Sequence, residues 1–288
     1  MSVSYPIIIT QKNLVPGTTN TFEYKFSNNV DFSNLDIGLS QASIFHSWFN
    51  ITAAKNNNQF SIIHPISGAA NTTLNFTIPD GGYEVSDLNN FLRYELLKNG
   101  YYLTNNTTNE QIIYCEFKVN PSVYKVEFVT YPMPTSLPAN HTAGMGLTFP
   151  STTRTPQLSF TQVDFGNIIG FAPGVFPVVQ PIVLTTSSST KTPVVSDVQN
   201  VVITLSSCSN PFAPNSTIIY SVSPSGVSFG RLITDKPNVI SWIPQQSSFR
   251  QSITLQVTNQ DLQPIELQDT DITVILLIRF RDQNNLMR

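Results

Sequence analysis

The sequence predicts an all-β protein: a single jelly roll, meaning a two-sheet antiparallel β-sandwich, with long loops or an insertion and one short helix. Three observations lead there. Strict period-2 alternation of apolar and polar residues recurs along the chain, the signature of half-buried strands. Charge is low, at 11% Asp, Glu, Lys and Arg, against about 25% in an average soluble domain; 27 Asn, 30 Ser and 30 Thr supply the polarity instead. Apolar residues make up 40% of the 288 residues and aromatics 11%. That is enough to bury a core and excludes global disorder, and the richness in Thr, Val, Ile, Phe and Tyr favours strands.

Taken along the chain, weaker alternation marks strands at 7–10, 21–26, 36–44, 59–64 and 72–78. A helix follows over 87–99. Ser86 is its expected cap, Asp87 suits its first turn, Leu88, Phe91, Leu92 and Leu96 form one apolar stripe, and Gly100 supplies the left-handed stop. Ile113, Cys115, Phe117 and Val119 alternate with polar residues, Asn120-Pro121-Ser122-Val123 turns the chain, and Tyr124, Val126 and Phe128 return as an antiparallel hairpin. Val201, Ile203 and Leu205 make another strand, and 218–222 a weaker one. Ile253, Leu255 and Val257 share one face of a further strand. In the last strand Ile272, Val274, Leu276, Ile278 and Phe280 share one face, while Ile275 and Leu277 on the other imply cover on both sides of its middle. The stretch 132–193 is punctuated by Pro, Gly, Ser and Thr and reads as long loops or an insertion within one domain spanning 1–288. No periodic repeat argues for a solenoid or propeller.

Function classes narrow from the same residues. Net charge is −3 with pI near 5.6, and the 15 Lys and Arg are spread thinly, so no basic stripe marks a dedicated nucleic-acid binder. The N-terminus has no basic region followed by an apolar one, so no secretory signal is expected, and no apolar run approaches the roughly 20 residues of a membrane span. Cys115 and Cys208 are too few for a disulfide framework and read as buried or half-buried thiols. Seven Asn-x-Ser/Thr sequons, beginning at Asn50, Asn71, Asn75, Asn105, Asn106, Asn140 and Asn215, follow from the Asn, Ser and Thr content. Asn75 lies within a strand-like run, a poor place for a glycan.

Chemistry-bearing constellations are sparse. His46, His64 and His141 lie far apart without metal-ligand spacing. Nucleophile elbow, phosphate loop and dinucleotide fingerprint are all missing, and Asp80-Gly81-Gly82 and Gly144-Met145-Gly146 read as turns. Glu266, Asp269 and Asp271 gather near the last turn, where a solvated turn outweighs a Ca²⁺ site, and nothing local activates Cys115. Catalytic, cofactor-binding and metal residues are therefore all assigned as none, and the chain is not read as an enzyme. Arg279, Arg281 and Arg288 enrich the C-terminal tail and leave a weak contact with packaged DNA open. Trp48, Trp242, Tyr101 and Tyr102 leave a glycan-binding role open, with core or strand-edge packing favoured for Trp242.

Four segments in order carry a resemblance. They are Thr77-Ile78-Pro79-Asp80-Gly81-Gly82-Tyr83 leading to Asp87-Leu88-Asn89-Asn90-Phe91-Leu92; Phe165-Gly166-Asn167-Ile168-Ile169-Gly170-Phe171; Ser228-Phe229-Gly230-Arg231-Leu232 followed by Ser241-Trp242-Ile243-Pro244; and a final hairpin from Ser252 through Gln263-Pro264-Ile265 to Ile278. Together they resemble the minor capsid (penton) proteins of virophages and of Polinton-like and adintovirus-like elements. The resemblance runs from about Ile78 to Arg281; the first 70 residues match nothing specific. It implies a single jelly roll, often with an insertion, five copies of which form the capsomer at each five-fold vertex beside a double-jelly-roll major capsid protein. The chain is too short for two full jelly rolls, which favours penton over major capsid protein. The expected partners are a homopentamer and that major capsid protein, in the virion, without membrane insertion. A β-sandwich adhesin or glycan-binding module is the alternative, and a metal-dependent β-sandwich enzyme comes third. Low charge would suit flanks that meet copies of themselves, with Asn-, Ser- and Thr-rich loops expected at the interface and exterior.

Overall fold

The computed structural model describes residues 3–213 and 215–281. The chain divides into two compact units, one gathering the residues up to Trp48 and from Asp197 onward, the other Phe49–Ser196. In chain order the first unit opens with β1 (Ser4–Thr10), a 3-10 turn (Gln11–Asn13), β2 (Thr21–Asp31) and β3 (Leu35–Phe45). The second unit follows with β4 (Gln59–Pro65), β5 (Asn71–Thr77), α1 (Val85–Lys98), β6 (Leu103–Asn105), β7 (Gln111–Ile112), β8 (Cys115–Asn120) and β9 (Lys125–Thr130). It continues through β10 (His141–Ala143), β11 (Gln157–Phe160), α2 (Val163–Ile169), β12 (Gly174–Phe176) and β13 (Thr185–Ser188). The chain then returns to the first unit as β14 (Val201–Leu205), β15 (Ile218–Val222), β16 (Leu232–Asp235), β17 (Ile243–Pro244), β18 (Phe249–Thr258) and β19 (Ile272–Phe280).

The first unit is a jelly roll. One sheet runs β1-β19-β3-β16, with β17 also on β3; the other runs β15-β14-β18-β2. Every neighbouring pair is antiparallel, and apart from β14–β15 each pair joins strands from distant parts of the chain, as Greek keys require. Alternation explains the strands. In β18, Ile253, Leu255 and Val257 are buried while Ser252, Thr254 and Gln256 are half-buried, and in β19 Ile272, Val274 and Leu276 are buried. These face Phe22, Ile37, Leu39, Ile203 and Leu205 in one aliphatic core. Phe280, expected on that inner face, is instead exposed, because it lies at the strand's end. Ile275 and Leu277 on the opposite face are half-buried, not covered; they pair across β1 with Ile8 and Pro6.

The second unit has a core of its own. Its three sheets run β12-β11-β4-β5, β13-β9-β8 and β10-β6-β7. The stretch 132–193 therefore pairs back onto earlier strands, β10 on β6, β11 on β4 and β13 on β9. It forms half of a folded unit whose boundaries are Phe49 and Ser196, where the sequence suggested a loop-rich insertion at 132–193 inside a single 1–288 domain. Helix α1 buries Val85, Leu88, Leu92 and Leu96, and Asn89 Oδ1 accepts a hydrogen bond from the Phe117 amide of β8 at 2.8 Å. Its start differs from expectation. Glu84, not Ser86, is the N-cap, and the Asp87 carboxylate accepts from the Glu84 amide at 2.9 Å. Gly100 ends the helix as expected, at φ +77°, with the Gly100 amide on Leu97 O and the Tyr101 amide on Leu96 O, a Schellman closure. A second helix, α2, was not expected. Seven residues are too few to show helical periodicity, and Phe165, Ile168 and Ile169 hold it by burial.

Candidate functional site

The histidines do not converge on one centre. His46 Nδ1 lies 2.7 Å from Val227 O and its ring packs 4.4 Å from that of Trp48. His64 is buried against Tyr101, with ring centroids 4.8 Å apart. Burial pushes its pKa down to about 4, partly opposed by the Pro65 carbonyl, so this imidazole is neutral at pH 7. His141, the half-buried first residue of β10, has its Nδ1 2.8 Å from Ala139 O. Cys115 and Cys208 are free and buried. Burial raises both thiols, Cys208 to about 11 and Cys115 further, which leaves neither as a thiolate. Asp269 Oδ1 accepts from the Asp271 amide at 2.9 Å and so shapes its own turn. Among the described residues no group of three or more His, Cys, Asp or Glu is placed to hold a metal ion.

The C-terminal arginines are engaged by a buried carboxylate. Asp36, whose side chain is only 9% exposed, accepts from Arg281 Nε at 3.1 Å and from Arg279 Nη2 at 3.4 Å. Arg279 also stacks 4.2 Å over the ring of Trp242, which is half-buried at the sheet's outer face, as its strand-edge reading implied. Arg288 lies outside the described residues. Trp48 is a core residue; its indole Nε1 has no hydrogen-bond partner. Gly144 and Gly146 serve backbone packing: a Cβ there would meet Gly100 O at 2.4 Å and Asn99 O at 2.2 Å. Asp80 Oδ1 accepts from the Ala53 amide at 2.8 Å, which makes 80–82 a pinned turn. No helix among the described residues is long and apolar enough to cross a membrane.

The second unit holds a cleft of about 280 Å³ lined by Asn89, Arg93, Glu110, Gln111, Glu116 and Tyr131, with Ile112, Ile113 and Cys115 supplying its apolar part. Glu116 accepts from Lys118 Nζ at 2.7 Å and from the Tyr131 hydroxyl. Partial burial pushes its carboxyl up, but these two hydrogen bonds together with the positive charges of Lys118 and Arg93 outweigh burial and leave it below the ordinary range. The same bonds, Glu116 first, raise Lys118 and Tyr131. Arg93 Nη2 donates to Gln111 O at 3.3 Å. Planar hydrogen-bonding groups line this cleft. None is a nucleophile set against a base.

Exposed apolar side chains form the more conspicuous surfaces. In the second unit Val178, Val179, Ile182, Val183 and Leu184, between β12 and β13, are each 55–81% exposed. The tip of the β8–β9 hairpin shows Val119, Val123 and Tyr124, and the outer face of the first unit shows Ile8. Val178, Val179 and 182–184 show no apolar–polar alternation, and none of them lies in a strand.

No protein-family model and no curated protein sequence matches this chain. Among solved structures, the crystal structure of the selenomethionine-labelled mavirus penton protein aligns over 97% of this chain and 99% of its own, at 10% identity and a TM-score of 0.45. A truncated AlyQ with CBM32 and alginate lyase domains aligns over 98% and 100%, at 10% identity and a TM-score of 0.11. The jelly-roll assignment therefore rests on strand order and register.

Proposed function

We propose that this chain is a structural virion protein: the penton (minor capsid) protein whose pentamer forms the capsomer at the five-fold vertices of an icosahedral capsid, beside a double-jelly-roll major capsid protein. The observation that carries this reading is the eight-strand jelly-roll pairing, β1-β19-β3-β16 against β2-β18-β14-β15. The third and fourth resemblance segments fall in this jelly roll, on β16 to β17 and on β18 to β19, and the first two fall in the inserted unit. The role is structural, not catalytic. The vertex reading also accounts for low overall charge together with apolar side chains left exposed, since flanks that meet other copies avoid the cost of desolvating charges. Contact with packaged nucleic acid would draw on cations other than Arg279 and Arg281, which Asp36 engages.

Light scattering coupled to size exclusion, with native mass spectrometry, tests this. A pentamer is expected, as is co-assembly when the chain is expressed with a double-jelly-roll capsid protein. A chain that stays monomeric under both conditions overturns the reading. The Glu116–Arg93–Gln111 cleft favours one second reading, a glycan-binding module, because planar carboxylate, guanidinium and amide groups suit sugar hydroxyls. A monomer that captures a defined sugar on a glycan array, and loses it on Glu116→Ala, would support that alternative.

A further inference from the structure

The segment Val178-Val179-Gln180-Pro181-Ile182-Val183-Leu184 combines two properties that seldom coincide in a loop. Its backbone is tied down. Gln157 Nε2, from a buried side chain, donates to Pro177 O at 2.7 Å and to Val178 O at 3.3 Å. Arg154 Nη1 donates to Gln180 Oε1 at 3.1 Å, the Thr155 amide to Pro181 O at 3.1 Å, and Thr185 Oγ1 to Val183 O at 3.0 Å. Its five aliphatic side chains nevertheless face solvent. A loop held in one shape while displaying apolar groups is preordered for docking and loses little conformational entropy when covered.

The chemistry of the occupant can be narrowed. Residues 165–190 contain no charged side chain, and the Arg154 guanidinium beside them is committed to Gln180, Asn71 and the Ala70 carbonyl, so a charged partner finds little complement here. Pro177 and Pro181 lack amide hydrogens, which prevents the ribbon from entering a neighbour's sheet as a laddered strand; the contact has to be made by side chains. The ribbon presents on the order of 500 Å² of apolar surface, against about 800 Å² per partner in a standard interface. That is too little for a lone dimer, but sufficient as one contact repeated around a closed ring.

The unit also carries a matching patch. Register pairs Thr185 of β13 with Thr130 of β9, so the ribbon joins the β13-β9-β8 sheet at one end. Asn120 pairs with Lys125, which puts the hairpin tip with Val119, Val123 and Tyr124 at the other end. Two different apolar patches at opposite ends of one sheet are what a head-to-tail contact needs, and such a contact closes into a ring when the rotation from copy to copy completes a circle. We infer that the 178–184 ribbon of one copy docks on the β8–β9 hairpin tip of the next copy, an interface between second units that rests on the pentameric vertex reading.

The test uses the full chain and follows assembly against concentration by native mass spectrometry and light scattering. The paired substitutions Val179→Asp with Val183→Asp, and separately Tyr124→Asp, should each raise the concentration for half-assembly at least about tenfold. Val163→Asp, at an exposed apolar position in α2 that belongs to neither patch, should not change it. Hydroxyl-radical footprinting of the unmodified chain should show 178–184 and 123–124 protected on assembly, which decides the matter even if a substituted chain fails to fold. Pentamers that form normally with either patch substituted, or with the ribbon as reactive as in the monomer, overturn this interface while leaving the vertex reading intact. A wild-type chain that never oligomerises overturns both.

Discussion

The jelly roll and the unit inserted into it reach a buried core by different routes. The first unit uses long strands, 11 residues in β2 and β3 and 10 in β18, and its core is chiefly Ile, Val and Leu facing inward at every second position. No strand of the second unit exceeds seven residues, and its core is built on phenylalanines: Phe60, Phe76, Phe117, Phe128, Phe160, Phe165 and Phe171. Phe60 and Phe165 stack at 5.3 Å with an interplanar angle of 5°, and Phe160 meets Phe165 edge-on at 5.4 Å. A ring buries more area per residue than an aliphatic side chain, so a few short strands suffice around it. The difference shows that a sandwich core is spread evenly along its strands, while an aromatic cluster concentrates the same role in a few positions.

Substitutions in the two cores should break that comparison most forcefully. Phe165→Ala removes a fully buried ring and is expected to cost about 3–5 kcal/mol. Denaturant unfolding would measure this, with hydrogen-exchange protection lost first across Phe49–Ser196. Leu255→Ala in the first core should cost about 2–5 kcal/mol and lose protection first among β14, β18 and β2. If either substitution weakened both units equally, the picture of two cores would fail.

Acid should separate the units next. His64 belongs to the second unit and its folded pKa is lowered to about 4 from 6.5. Above pH 6.5 both states are neutral at this site and nothing is lost. As pH falls from 6.5 toward 4, the unfolded chain takes up a proton that the folded chain excludes, so stability falls by up to about 3 kcal/mol. Urea melts at pH 7.5 and 4.5 would measure this, and His64→Gln should flatten the difference. The smallest effect expected is in the jelly roll. At Gly38 a Cβ would meet Ile240 Cγ2 at 2.3 Å and Ser241 O at 2.9 Å, because the chain before β17 crosses the outer face of β3 there. Gly38→Ala should cost about 1–3 kcal/mol, visible as a lower thermal midpoint. An unchanged midpoint would show that this crossing segment yields easily.

Legibility followed the same division. Strands such as 201–205, 253–257 and 272–280 were readable because half-burial imposes period 2 on a long ladder, and helix α1 because its stripe and Gly100 follow from helical geometry. Helix α2 and strands β10 to β13 escaped because each is too short to display a period and is held by partners distant in sequence. The histidines, widely spaced in the sequence, each meet different partners in the fold. Glu116 and Lys118 share a face of β8 at the strand period, but no spacing links them to Arg93 of α1 or to Tyr131 just after β9.

Composition and alternation by themselves determined that this chain is all-β, low in charge and able to fill a sandwich, because those properties are local and repeat along the strand. Only the tertiary structure decided which strands neighbour which, that Phe49–Ser196 forms a unit with its own core, and that 178–184 displays its aliphatic side chains instead of burying them. A valine's sequence neighbours specify its polarity pattern but not what covers it; cover is supplied by residues far away along the chain, and at this ribbon the monomer leaves the aliphatic side chains mostly open.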